Sequence, residues 1–138
     1  MAERPLKFPS EEWLKKYVEI VNASREYEQA ARDWEGDILF IITPDERFDR
    51  EEVYWLDLYH GKVREWRRLS NRAEREAQFV YEGPYGNWVK LIKGEIEPIK
   101  GILTGKFKLR GNMMKILRYT RAAQELVNCA TKVPSEFA

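Results

Sequence analysis

Ile38–Thr43 (ILFIIT) is an unbroken run of apolar and β-branched residues that stops at Pro44-Asp45. The run is the length of a strand, and its apolar character does not alternate, so it reads as a strand buried on both faces. Whatever this chain folds into must therefore lay material on each side of a sheet. The segments around it fit that demand. Glu52–Tyr59 (EVYWLDLY) alternates, with Tyr54, Leu56 and Leu58 on one face and Val53, Trp55, Asp57 and Tyr59 on the other. His60-Gly61 turns it back into Lys62–Leu69 (KVREWRRL), a more polar strand, and Glu76–Glu82 (EAQFVYE) supplies a fourth, with Ala77, Phe79 and Tyr81 inward.

Helices flank these strands. Ser10 is placed to cap a helix whose first turn carries Glu11 and Glu12, and Trp13, Leu14, Tyr17, Val18 and Val21 recur at helical spacing. The spacing predicts that this helix continues through Arg25 to Arg32. After Gly83-Pro84, Tyr85, Trp88, Leu91 and Ile92 share one helix face, closed by Gly94. A second short helix opens at Pro98, presents Ile99, Ile102 and Leu103, and closes at Gly105. Lys106–Arg110 (KFKLR) alternates as a fifth strand. A final helix then carries Met113, Met114, Leu117, Thr120, Ala123 and Val127, and the tail from Thr131 reads as frayed. The order of helix, four strands, two short helices, strand and helix is that of an α+β or mixed α/β layer structure. The 138 residues fit one domain, residues 1–138, with its core over about 10–130.

Residue counts exclude much chemistry. One cysteine, Cys129, rules out an intrachain disulfide and a cysteine-rich metal site, and one histidine, His60, rules out HExxH and zinc-finger patterns. His60 reads as a turn residue and Cys129 as helix packing. No Walker A loop, GxGxxG or GxSxG occurs, and Asp45, Glu46, Asp49, Glu51 and Glu52 lack calcium-loop spacing. No metal, cofactor or catalytic group is expected. The amino terminus has no signal-like apolar stretch and no run is long enough to span a bilayer, which predicts a cytoplasmic protein.

The net charge of +1 conceals a split: residues 1–61 sum to −7 and residues 62–138 to +8. Either the halves pair within the fold or a basic face meets an anionic partner. Nucleic acid is not expected, because the aromatics near the basic residues fall on inward faces. An anionic membrane surface or lipid headgroup fits better, since Tyr85–Leu117 combines basic residues with two short apolar helices and Met113-Met114.

That same segment carries a resemblance. In GEIEPIKGILTGKFKLRGNMMKIL, Gly94 to Leu117, the residues Gly94, Ile96 and Pro98 precede a short helix, and Thr104, Gly105, Lys106, Phe107, Leu109, Gly111, Asn112 and Met113 follow it. This pattern resembles the signature region of the sterol carrier protein 2 family. FVYEGPYGNWVKLIKG before it resembles the family's strand and following helix, and the likeness covers roughly residues 10–130. The resemblance implies a five-stranded mixed sheet with helices packed on one face. It also implies an apolar tunnel between the two layers that takes fatty acid, fatty acyl-CoA, phospholipid or sterol, without catalysis. The chain ends in Glu136-Phe137-Ala138 rather than a Ser-Lys-Leu-type signal, so a peroxisomal address is not expected.

On this reading Trp88, Leu91, Ile92, Ile99, Leu103, Phe107, Met113, Met114 and Leu117 line the cavity, joined from the sheet by Phe79 and Trp55. A tryptophan at Leu103 or Met114 is then expected to fill it. Lys106, Lys108 and Arg110 are candidates for meeting a carboxylate or phosphate at its mouth. The rival reading is an accessory module whose apolar groove takes a partner helix, and an exposed groove of that kind would also favour a homodimer.

Overall fold

The computed structural model describes residues 4–138; residues 1–3, the start of the charged amino-terminal stretch, lie outside the described residues. A short strand β1 (Leu6–Lys7) leads into helix α1 (Glu11–Ala23), whose first turn is capped by Ser10 Oγ accepting from the Trp13 N–H at 3.0 Å. The expected single long helix is interrupted. Ser24 leaves helical geometry (φ −84°, ψ 114°) and its side chain caps a second helix, α2 (Arg25–Ala30). The local hydrogen bond that serine offers competes with continuing the helix, and here it starts a new one.

The sheet follows: β2 (Glu35–Thr43), β3 (Glu52–Tyr59) and β4 (Lys62–Leu69) form an antiparallel meander, and β5 (Phe79–Pro84) returns parallel to β2. Helices α3 (Tyr85–Ile92) and α4 (Pro98–Leu103) precede an edge strand β6 (Lys108–Arg110), antiparallel to β5. The final helix is also broken, into α5 (Met113–Arg118) and α6 (Thr120–Thr131), at Tyr119, whose ring meets Trp34 edge-on at 5.0 Å. The main sheet therefore has the order β4-β3-β2-β5-β6, mixed in direction, with the helices packed on one face.

Its two faces explain the ILFIIT run. Ile38, Phe40 and Ile42 point to the helices, whereas Leu39 and Ile41 join Val53, Trp55 and Leu69 on the opposite face. That second face is covered by the crossing segment between β4 and β5, which includes a short 3-10 turn at Arg72–Glu74. The Arg75 guanidinium lies 3.8 Å from the centre of the Trp55 ring. Asp37 ties the layers together by accepting from Trp55 Nε1 (2.8 Å) and from the Gln78 N–H (2.9 Å). Residues 76–78 belong to this crossing, so β5 starts at Phe79, later than its pattern predicts.

The tail is not frayed. Strand β7 (Ser135–Glu136) pairs in parallel with β1, Ser135 Oγ accepts from Trp13 Nε1 at 2.7 Å, and the Phe137 ring packs edge-on against Phe8. A two-residue strand has no period to read, which is why the sequence gives no sign of it.

Candidate functional site

Between the sheet and the helix layer lies a cavity of about 110 Å³. Its floor is the helix-facing side of the sheet: Ile38, Phe40 and Ile42 of β2, Tyr54 and Leu58 of β3, Tyr81 of β5 and Leu109 of β6. One end is roofed by Trp13, Leu14 and Tyr17 of α1, Tyr27 of α2, and Val127 and Ala130 of α6, all buried. The other end is roofed by Ile99 and Ile102 of α4 and Ile116 of α5, and there Ile99, Ile102, Leu109 and Ile116 are only partly buried. The cavity is thus closed under α1 and α2 and opens at the α4–α5 side.

Among the described residues no Asp, Glu, Lys, Arg or His lines this space. The polar atoms of its aromatic wall are mostly committed elsewhere. Tyr17 donates to the Leu126 carbonyl (3.0 Å), Tyr54 to that of Ser10 (3.2 Å) and Tyr81 to that of Pro98 (2.9 Å). Trp34 and Trp88 donate through Nε1 to the carbonyls of Gly36 and Ile41, both at 2.9 Å. With their polar edges turned into the protein, these five rings present only hydrocarbon to the cavity. Such a surface binds by exclusion of water rather than by directed bonds. Burial raises the pKa values of Tyr17, Tyr54 and Tyr81 well above the ordinary phenol value, so these groups stay neutral at physiological pH.

The residues singled out from the sequence divide into three groups. Trp88, Leu91, Ile92 and Ile99 lie in the cavity wall. Phe107 and Phe79 are buried behind it: Phe107 stacks on Tyr81 at 4.6 Å and meets Trp88 edge-on at 5.3 Å, while Phe79 packs on Trp34 at 5.2 Å. Leu103, Met114 and Leu117 face outward, 71%, 69% and 44% exposed, and the half-buried Met113 does not reach the wall either. A tryptophan at Leu103 or Met114 would accordingly point to solvent. Trp55 sits on the opposite face of the sheet, a consequence of the period-2 alternation that sends its neighbours Tyr54 and Leu56 to the helices.

The same alternation corrects the basic candidates. Leu109 pairs with Tyr81 and shares its cavity side, so Lys108 and Arg110, opposite Glu82 and Val80, lie on the far face of the sheet. Neither is at the mouth. Wall residues missing from the sequence reading come mainly from α1, α2, β2 and α6. Their apolar spacing was visible, but a cavity-facing apolar residue and a core-facing one have the same pattern.

Phe107 shows what the motif of the fifth strand does. A Cβ on Gly83 would stand 2.6 Å from its ring and one on Gly101 would stand 2.9 Å from it. The two glycines form a slot, and the ring in that slot fixes α4 against β5. The other residues considered for chemistry have structural places. His60 occupies the β3–β4 turn with φ 49°, its ring stacked on Tyr59 and its Nε2 2.7 Å from Glu35 Oε2. Cys129 is buried in α6, and burial raises its thiol pKa.

Comparison with known proteins agrees with this architecture. A model of the SCP-2 sterol transfer family matches residues 14–124. A crystal structure of sterol carrier protein 2 is similar at a TM-score of 0.80 and 33% identity, covering 90% of this chain and 97% of that one. A solution structure of a conserved hypothetical protein from Thermus thermophilus, described as possibly a sterol carrier protein, gives 0.82 and 32%, covering 92% and 90%. The apo form of sterol carrier protein 2 from Yarrowia lipolytica shares the fold at 0.61 and 16% identity, covering 96% and 99%. No curated protein sequence matches. With its sheet order, its one-sided helix layer and these matches, the chain belongs to the SCP-2 sterol transfer family.

Proposed function

We propose that this protein binds a lipid in the cavity between sheet and helices and carries it to and from membrane surfaces, without chemistry of its own. Members of the family are non-catalytic lipid carriers, and the observation that carries the reading here is the cavity: walled by aliphatic and aromatic side chains, without a charged group among the described residues, and open at one side. The candidate ligands are fatty acid, fatty acyl-CoA, phospholipid, and sterol or isoprenoid. Each methylene transferred from water gains about 0.8 kcal/mol, so ten of them offer roughly 8 kcal/mol gross, enough for micromolar affinity after ordering costs.

Size sets a condition. An apolar cavity of roughly 150 Å³ accommodates a benzene ring, so the 110 Å³ seen here has to widen for a long acyl chain. The wall most able to move is α5, which is six residues long and contains no buried residue, whereas the neighbouring α4 is held at Pro98 and Gly101. Opening there also gives the ligand its way in.

Native mass spectrometry of the purified protein, followed by lipid analysis of what it releases, tests the proposal. Bound lipid at one per chain, lost in Ile102→Trp while the melting temperature is held or raised, is the expected result. A clean protein mass together with failure to bind a fluorescent fatty acid would refute the carrier reading and favour a groove for a partner helix.

A further inference from the structure

Tyr27 is the exception in the cavity wall. It lies at the closed end, on α2, and is 1% exposed, yet among the described residues nothing hydrogen-bonds its hydroxyl; its bonds are from its backbone N–H to Ser24 Oγ and from the Ala31 N–H to its carbonyl. Among the described residues no fully covered side-chain oxygen or nitrogen is without a partner, so the Tyr27 oxygen must keep part of the little surface this residue retains. That surface belongs to a ring that lines the cavity. Tyr119, the other wall tyrosine with an uncommitted hydroxyl, is only half-buried and stands towards the open side.

We infer that the Tyr27 hydroxyl is the anchor for the inward end of an uncharged lipid, a long-chain alcohol, a sterol hydroxyl or an ester carbonyl inserted polar end first. The inference rests on the cavity being a lipid site. A phenol both donates and accepts, so it satisfies a hydroxyl or a carbonyl equally. Charge is excluded at this end. Among the described residues no cation lines the cavity, and an ionised carboxylate or phosphate buried without one is strongly disfavoured. The neighbouring groups are of the same neutral kind: burial and the nearby Cys129 raise the Tyr27 pKa, and the same two influences raise that of Tyr17. A charged lipid has to enter tail first and leave its head at the mouth, where Lys100 and Arg118 are exposed on α4 and α5. The cavity therefore accepts two orientations, and only the neutral, polar-end-first one uses Tyr27.

The test compares the 138-residue chain with its Tyr27→Phe variant, which removes one oxygen and no intramolecular bond. Displacement of a bound fluorescent polyene fatty acid is measured with hexadecanol, hexadecane and, at pH 7, palmitate. The expected result is a loss of about 3- to 10-fold in hexadecanol affinity, the size of one hydrogen bond, with hexadecane, palmitate and melting temperature unchanged. Equal hexadecanol affinity in both proteins would overturn the anchor while leaving the lipid cavity standing. Uniform loss for all three competitors would also overturn it, by showing that Tyr27 shapes the cavity rather than bonding the ligand. If the unmodified protein takes up none of the four lipids, the carrier reading itself fails.

Discussion

Glu52 is the only charged residue buried among the described residues, 3% exposed at the start of β3. Burial by itself would raise its pKa, but Arg68 donates to both its oxygens (2.7 and 2.9 Å) and Arg50 to one (2.8 Å), and the net effect is a pKa below 4.5. A carboxyl whose folded pKa is depressed contributes stability above its unfolded pKa and loses it as pH falls through the folded one. Glu52→Gln should therefore cost about 2–4 kcal/mol at pH 7, near the low end for breaking a buried pair because both arginines remain partly in water. In urea titrations the gap between the two proteins should close as pH drops below 4.5. A gap independent of pH would mean that the loss comes from packing. This network was only half legible in the sequence. The charge split between the two halves pointed to pairing, and Glu52–Arg68, Glu51–Arg72 and Asp57–Arg64 all cross the division. Burial of one particular carboxylate depends on a cross-strand neighbour 16 positions away, and no local pattern marks it.

Among the elements, β3 and β4 match their sequence boundaries because period-2 alternation and a His60-Gly61 turn specify both ends. The turn is specified doubly: Gly61 has φ 81°, and a Cβ there would lie 2.7 Å from the Glu28 Cα of α2. The long helices were overestimated. Apolar spacing persists across Ser24 and Tyr119, where the chain nevertheless breaks, since periodicity reports which face is buried and not whether the backbone is continuous. In the last turn of α1, Asn22 uses its side-chain amide as a surrogate strand residue. It accepts from the Val63 N–H (2.7 Å) and donates to the Val63 carbonyl (3.1 Å), next to the irregularity in the β3–β4 ladder. Asn22→Ala leaves both groups partly buried without partners and should destabilise by about 1–3 kcal/mol, read as a lower urea midpoint at unchanged slope. At the other end, α4 and α5 are too short to persist without packing. Amide exchange should be fastest across Pro98–Arg118 and should slow there when lipid is bound. Equal protection of α4, α5 and α6 without ligand would rule out opening on this side.

At the scale of the whole molecule, the pairing of acidic and basic halves leaves a remainder. Between Pro98 and Gln124 the chain has seven lysines and arginines and no acidic residue. Two of them, Lys108 and Arg110, lie on the far face of the sheet, and Lys115 is drawn inward to the Glu35 carbonyl and the Trp34 ring. Lys100, Arg118 and Arg121 stay exposed on the helices that flank the cavity's open side, and among the described residues no ion pair joins them to a carboxylate. Leu103, Met114 and Leu117 are exposed on the same two short helices, α4 and α5. Apolar side chains with nearby cations at the mouth of a lipid cavity suit the headgroup region of an anionic membrane, where the leucines and methionine would enter the acyl boundary and the cations would meet phosphate. Each basic residue near such a surface contributes about 1 kcal/mol, so Lys100→Gln/Arg118→Gln/Arg121→Gln should lower partitioning onto phosphatidylserine vesicles by about two orders of magnitude. Binding to phosphatidylcholine vesicles should be weak in both proteins. Leu103→Ser/Met114→Ser should weaken the salt-resistant part of binding, because apolar burial is not screened by ions. If the charge variant binds phosphatidylserine as well as the parent, the docking face lies elsewhere. If the serine variant instead converts a dimer to a monomer in sedimentation, the exposed side chains serve a second copy of the chain, and the cavity mouth is covered by protein rather than by lipid.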